Sequence, residues 1–150
     1  MNITYIETID EVIEIHLKTV EVSGGGTTGI ISTSSLEVAL EKIQDDLYYP
    51  SFVDKLTYLF FVANKGHCFQ DGNKRIAISL GGLFLLKNGY VLAAQRFFHK
   101  MEMITYQLAA GNIDKDLLHE IIHSIVYEDD YCEELKLKLL TAIDTEINKD

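Results

Sequence analysis

Apolar residues recur at helical spacing along most of the chain. Ile9, Val12, Ile13, His16, Leu17 and Val20 fall three and four positions apart, which gives the first helix one continuous face. Thr8 and Glu11 stand at capping-box spacing before it. The pattern stops at "SGGGTTG", residues 23 to 29, where four glycines remove helical preference. The flanking "TVEV" and "TGIIS" predict a short β-hairpin. Ser34 and Glu37 repeat the capping-box spacing and open a second helix through "LEVALEKIQDDL". Ser51 to about Lys65 predicts a third, carrying Phe52, Leu56, Leu59, Phe60 and Ala63. From about Asn73 to Asn88 the chain is apolar on every side beyond Ile76, the mark of a helix at the centre of a fold. Gly89 suits its C-terminal cap. Residues 95 to 110, 114 to 127 and about 130 to 147 predict three further amphipathic helices. The single proline, Pro50, and the scarcity of alternating patterns complete an all-α expectation. It is one domain over residues 1–150, a bundle around a buried central helix with a short β-hairpin, without internal repeats or linkers.

Composition narrows the function more than the fold. Thirteen basic and twenty-three acidic residues give a net charge of −10. That balance disfavours nucleic acid as a partner, because such binding relies on Lys and Arg neutralising phosphates. The apolar runs fall short of the roughly 18–20 residues a membrane span needs, and the acidic N-terminus has no basic stretch of a signal peptide. Cys68 and Cys132 form neither a CxxC pair nor a disulfide framework. A reducing, cytoplasmic setting is expected.

Chemistry concentrates in "GHCFQDGNKR", residues 66 to 75, between the third and fourth helices. A helix N-terminus offers unpaired N–H groups and the positive end of a dipole. Gly72 permits positive φ or close ligand approach, and Asn73, Lys74 and Arg75 add donors and charge at the same point. Asp71 suits Mg²⁺, which binds through one or two carboxylates plus substrate phosphates. His67 carries an imidazole suited to general-base work near neutrality. Phe69 is expected to point inward as the loop's structural anchor. Singly, each has an ordinary reading as a cap or a solvated charge. Together they supply the parts of phosphoryl transfer to a hydroxyl.

"HCFQDGNKRIA" resembles the signature of the Fic/Doc (Fido) family, approximately H-P-F-x-D/E-G-N-x-R. Matches at His67, Phe69, Asp71, Gly72, Asn73, Lys74 and Arg75 would coincide by chance on the order of 10⁻⁹ per start point at average residue usage. "GGGTTGI…SLEVAL" and "LFLLKNGY" are similar to the death-on-curing (Doc) branch, so the resemblance covers most of residues 15 to 125. It implies a Fic/Doc-like helical bundle acting on Mg-ATP, with ATP and Mg²⁺ as cofactors. His67 would deprotonate a hydroxyl of a target protein, and Asp71 would hold Mg²⁺. Gly72 and Asn73 would form the anion nest, and Arg75 would neutralise phosphate charge. Residues from about Val20 to Ile31 would form a flap that aligns the target by strand addition.

Four departures refine that picture. Cys68 replaces a common proline, with a consequence for loop rigidity. Lys74 stands where AMP-transferring members have glycine, and their second arginine is Ile78 here. Lys74 is shared with the Doc branch, so transfer of the terminal phosphate is expected, with AMP transfer as the alternative and a catalytically silent partner-binding module as the alternative of another class. The self-inhibitory pattern S/T-x-x-x-E-G/N is not met: Thr33 to Glu37 and Ser124 to Glu128 have the spacing, but Val38 and Asp129 follow. Control by a separate antitoxin, in a toxin–antitoxin pair, is expected from the resemblance.

A rival motif lies in "LLHEIIHSIV". His119, Glu120 and His123 match H-E-x-x-H literally, with Glu133 or Glu146 as third-ligand candidates. No extended protease pattern follows, and the three residues are expected to line an ordinary late helix. "GGGTTG" lacks the G-K-[ST] ending of a phosphate-binding loop. His16 and His99 are expected to be structural, the two cysteines free thiols, and the acidic pairs Asp45–Asp46 and Glu128–Asp129–Asp130 solvent-facing.

Overall fold

The computed structural model describes residues 2–22 and 29–147. Among these, seven helices follow in order: α1 (Ile9–Val22), α2 (Ser34–Lys42), α3 (Phe52–Lys65), α4 (Asn73–Lys87), α5 (Val91–Ala109), α6 (Lys115–Tyr127) and α7 (Glu133–Ile147). No strand forms among the described residues, and Ile30 and Phe69 make an isolated antiparallel bridge.

The expected hairpin is corrected on its first arm: Thr19–Val22 continue α1 as helix. The turn itself, residues 23–28, lies outside the described residues. Beyond it, Gly29 to Ser32 bond to the loop after α3 rather than to residues 19–22: Gln70 N–H donates to Gly29 O at 3.0 Å, and Ile31 N–H donates to Cys68 O at 2.8 Å.

α4 runs through the centre, packed against α1, α3 and α5. Ile76, Ala77, Leu80, Phe84 and Leu85 are sealed from solvent. Gly81 and Gly82 let α5 lie close: a Cβ at Gly81 would overlap the Phe97 ring, and one at Gly82 the Phe98 ring. After Lys87 the chain reverses through a Schellman motif, in which Tyr90 N–H bonds Leu85 O and Gly89 N–H bonds Leu86 O. Gly89 takes φ 83° there, a conformation that favours glycine. The reversal is so tight that α5 begins at Val91, four residues before the expected start at 95.

The capping expectations hold unevenly. Thr8 Oγ1 accepts from Glu11 N–H at 3.3 Å. At α3 a full box forms between Ser51 and Asp54. At α2 the expected Ser34–Glu37 box is replaced: Thr33 is the cap residue, its hydroxyl donates to the Glu37 carboxylate, and Ser34 N–H bonds Ser32 Oγ. α2 also ends at Lys42 rather than running on through Leu47. Its terminal carbonyl at Ile43 is met at 2.7 Å by Lys55 Nζ, a fully buried ammonium that also bonds Asp46 Oδ1 at 2.7 Å. The Asp45–Asp46 pair is therefore not merely solvent-facing.

Candidate functional site

Three elements converge on the loop of residues 66–72. α3 delivers it, α4 leaves from it, and α1 lies beneath it. Gly66 caps α3, after which His67 takes φ 47°, a left-handed conformation rare for a residue with a side chain. Such strain persists only where the surroundings impose it. Here the next residue does so: Cys68 is fully buried, its Sγ lies 3.0 Å from Ser35 Oγ, and its carbonyl accepts from Ile31 and Ser32 N–H. His67 itself is exposed.

Phe69 is buried and stacks nearly parallel on His16 of α1, with centroids 3.8 Å apart and planes 9° apart. Asn73 closes the loop from the other side. Its Oδ1 accepts from Phe69 N–H at 3.2 Å, and its Nδ2 donates to Phe69 O at 2.8 Å. The Asn73 side chain is thus engaged within the loop, and what this residue offers an anion is its backbone N–H. Gly72 stands at φ 82°, and the first backbone bond it receives is from Ile76 N–H at 2.8 Å. The amides of residues 73–75 therefore have no partner within α4. Left-handed Gly72 followed by right-handed Asn73 builds an anion-accepting concavity at the positive end of the helix.

Asp71 sits at its rim, half-exposed. Its Oδ1 accepts from Gly72 N–H at 2.8 Å, and its Oδ2 lies 3.6 Å from Arg75 Nη2. Lys74 is exposed and holds its ammonium 5.2 Å from the Tyr106 ring centroid. His67, Asp71, Gly72, Asn73, Lys74, Arg75 and Ile78 all line one cavity of about 440 Å³, within the usual range for a small-molecule site.

Its far wall was not singled out in the sequence. Gln70 of the loop, Asn64 on the last turn of α3, and Glu102, Thr105, Tyr106 and Ala109 of α5 complete the lining. Positions 102, 105, 106 and 109 share one helical face, so the mixed polarity of that face was the available signal. Asn64 and Thr105 are both almost fully buried, and Asn64 Nδ2 donates to Thr105 O. Asn64 Oδ1 and Thr105 Oγ1 have no hydrogen-bond partner. Buried polar atoms are rarely left so, and both belong to residues of the cavity wall.

The H-E-x-x-H residues take separate partners. His119 Nε2 lies 2.8 Å from Asp54 Oδ1, Glu120 Oε1 accepts from Lys138 Nζ at 2.8 Å, and the His123 ring packs at 5.0 Å on Tyr127. Glu133 pairs with Lys136, and the Glu146 side chain lies outside the described residues. No group of three or more His, Cys, Asp or Glu among the described residues is placed to hold a metal ion. Such a group is what a metal site built from protein ligands needs, whereas Mg²⁺ typically takes only one or two carboxylates together with phosphates and waters. Of the two histidines read as structural, His16 is buried and His99 is exposed.

A strained histidine, a carboxylate at the rim and a helix N-terminus with two cations meet at one cavity. A model of the Fic/DOC family matches residues 6–85, just over half the chain and the whole span from α1 to the body of α4. The chain belongs to the Fic/DOC family, whose members are typically transferases. No curated protein and no solved structure matches it. Among the described residues no helix is long and apolar enough to cross a membrane.

Proposed function

We propose that this protein transfers the terminal phosphate of Mg-ATP to a hydroxyl side chain of a target protein. The observation that carries the reading is the convergence of His67, Asp71, Lys74 and Arg75 on one cavity at the amino end of α4. His67 is exposed at the cavity and positioned to take the hydroxyl proton. The hydroxyl oxygen then bonds to the γ-phosphorus, the bond from that phosphorus to the bridging oxygen breaks, and ADP leaves with the electron pair. The amides of residues 73–75 and the Arg75 guanidinium face the charge on the phosphates. Asp71 would hold Mg²⁺, which neutralises phosphate charge. Its distance from Arg75, 3.6 Å, is loose enough for the carboxylate to exchange that partner for a cation.

The choice of phosphate over AMP rests on positions 74 and 78. Ile78 brings an apolar side chain to the cavity where a second guanidinium would otherwise stand, and Lys74 adds an ammonium at its edge. AMP transfer by the same residues is the second reading. A silent module that acts by binding a partner is the reading of another class, and it leaves the strained His67 backbone without a role. We place the protein as one domain in the cytoplasm, opposed by a separate antitoxin, with the segment after residue 28 receiving the target's extended backbone.

The test is transfer to lysate proteins from ATP labelled at either the α or the γ phosphate, with Mg²⁺, beside His67→Ala. Label from γ, absent in His67→Ala, is expected. Label from α replaces the preferred reading with AMP transfer, and no label from either, after any bound partner is stripped, leaves the binding module. Loss of a general base lowers the rate on the order of 10²–10⁴-fold.

A further inference from the structure

We infer that His16, on α1 and 55 residues before Asp71, is a positioning residue that holds the Asp71–Gly72 peptide in the orientation the anion site requires. The inference rests on the transferase reading above. His16 Nε2 lies 2.8 Å from the backbone oxygen of Asp71. A carbonyl oxygen only accepts, so Nε2 carries the hydrogen. The peptide group is planar and trans, so anchoring the Asp71 oxygen toward α1 turns the Gly72 N–H to the opposite side. There it meets Asp71 Oδ1 at 2.8 Å, so the same anchor sets the rim carboxylate.

Two more contacts make the imidazole a template for the turn. It stacks on Phe69, two residues before Asp71. It also lies directly under Gly72, where an added Cβ would stand 3.3 Å from Nε2. Three of the loop's motif positions, 69, 71 and 72, thus touch one side chain from another element.

The remaining ring nitrogen separates positioning from ordinary core packing. His16 is 1% exposed, and its Nδ1 has no hydrogen-bond partner. Burying an unpaired polar nitrogen is unfavourable. A phenylalanine at this position would keep an aromatic ring against Phe69 and remove that unpaired nitrogen, but it would also take the donor from the Asp71 carbonyl and press a C–H toward it. The unpaired Nδ1 is a cost that an apolar ring would not carry. The advantage of histidine lies in what the bond does to the loop.

The experiment uses the full chain as wild type, His16→Phe and His16→Gln, the last returning an amide donor at the reach of Nε2. Three quantities are measured: thermal midpoint, affinity for ADP with Mg²⁺ by calorimetry, and the Gly72 backbone amide resonance. His16→Phe is expected to weaken ADP binding about tenfold, the effect of one hydrogen bond's worth of misplacement, whatever its thermal midpoint, and to shift the Gly72 amide. His16→Gln is expected to restore most of the affinity. Wild-type ADP affinity in a folded His16→Phe overturns the inference. If His16→Phe does not fold, a folded His16→Gln with tenfold weaker ADP binding overturns it as well, and one with wild-type binding upholds it. A wild type that binds ADP but labels no target sinks the transfer reading alone, leaving the His16 comparison to stand on affinity. Should wild type bind no ADP, the affinity of the same three proteins for inorganic phosphate decides the His16 question.

Discussion

The residues that matter most for the site were legible as types and illegible as partners. Motif spacing pointed to His67, Asp71 and Arg75, but nothing near His16 indicated that its ring lies under the loop. Contacts across 55 positions leave no local pattern. Lys55 is the sharper case, since a lysine inside an apolar helical run reads as a solvated charge. Its ammonium is fully buried, and its pKa reflects two opposed effects. Burial lowers it, while the bond to the Asp46 carboxylate raises it further, leaving it above the ordinary lysine value. Asp46, although largely exposed, is thereby the counter-charge of a buried cation. Asp46→Ala is expected to destabilise by about 1–2 kcal/mol, the lower part of the range for a charged hydrogen bond because water screens the carboxylate side. Glu41→Ala, an exposed acid on the preceding helix, stays within about 0.5 kcal/mol. Adding Lys55→Met to Asp46→Ala recovers part of the loss, since no buried charge remains. Urea denaturation of the four proteins measures this, and equal effects of Asp46→Ala and Glu41→Ala would discard the explanation.

At the scale of elements, helical periodicity located every helix in the described residues, and errors gathered at the ends. α2 stops early because a side chain from α3 takes its terminal carbonyl, and α5 starts early because the Gly89 reversal needs so little chain. The strand expected at Thr19–Val22 gave way to helix, and the strand-like pairing of Ile30 went instead to Phe69. β-branched residues set a weak preference that tertiary context overrides. The two glycines of α4 were legible as anomalies in a buried helix, but their different roles were not. Alanine gains about 1 kcal/mol over glycine in helix propensity. At Gly81 the clashing ring is Phe97, fully buried and packed edge-on against Phe60 at 5.7 Å, so it cannot yield. At Gly82 it is Phe98, 45% exposed and able to swing outward. Overpacking costs about 1–3 kcal/mol, so Gly81→Ala should be destabilising by about 1–2 kcal/mol net, while Gly82→Ala should be near neutral. Thermal midpoints of the two variants distinguish them, and the reverse order would show that α5 moves as a body.

Over the whole molecule, acid stability ties the late helices to the rest. Asp130, in the loop between α6 and α7, ties that loop to two helices: its Oδ1 accepts from Lys100 of α5 at 2.9 Å and from Tyr131 N–H at 2.8 Å, and its Oδ2 lies 3.3 Å from Lys136 of α7. Lys100 foremost, then the Tyr131 N–H and Lys136, lower its pKa from 3.8 to about 2. A carboxyl whose folded pKa is depressed contributes stability above its unfolded pKa and loses it as pH falls through the folded one. Asp54 has the same sign: burial alone would raise it, but hydrogen bonds from the Ser51 hydroxyl and backbone, with His119, outweigh burial. The wild-type curve by itself mixes effects, because acid also relieves the repulsion of a chain carrying −10. The difference between wild type and Asp130→Asn isolates the junction. That difference is expected to be constant from neutrality down to about pH 5, to shrink as pH falls through 3.8, and to be lost only below about 2. Salt should reduce it at neutral pH, since the group is exposed and the screening length is about 10 Å at 0.1 M. Chemical denaturation of both proteins across this range gives the measurement, and a gap that ignores both pH and salt would rule out the charge of Asp130 as its source.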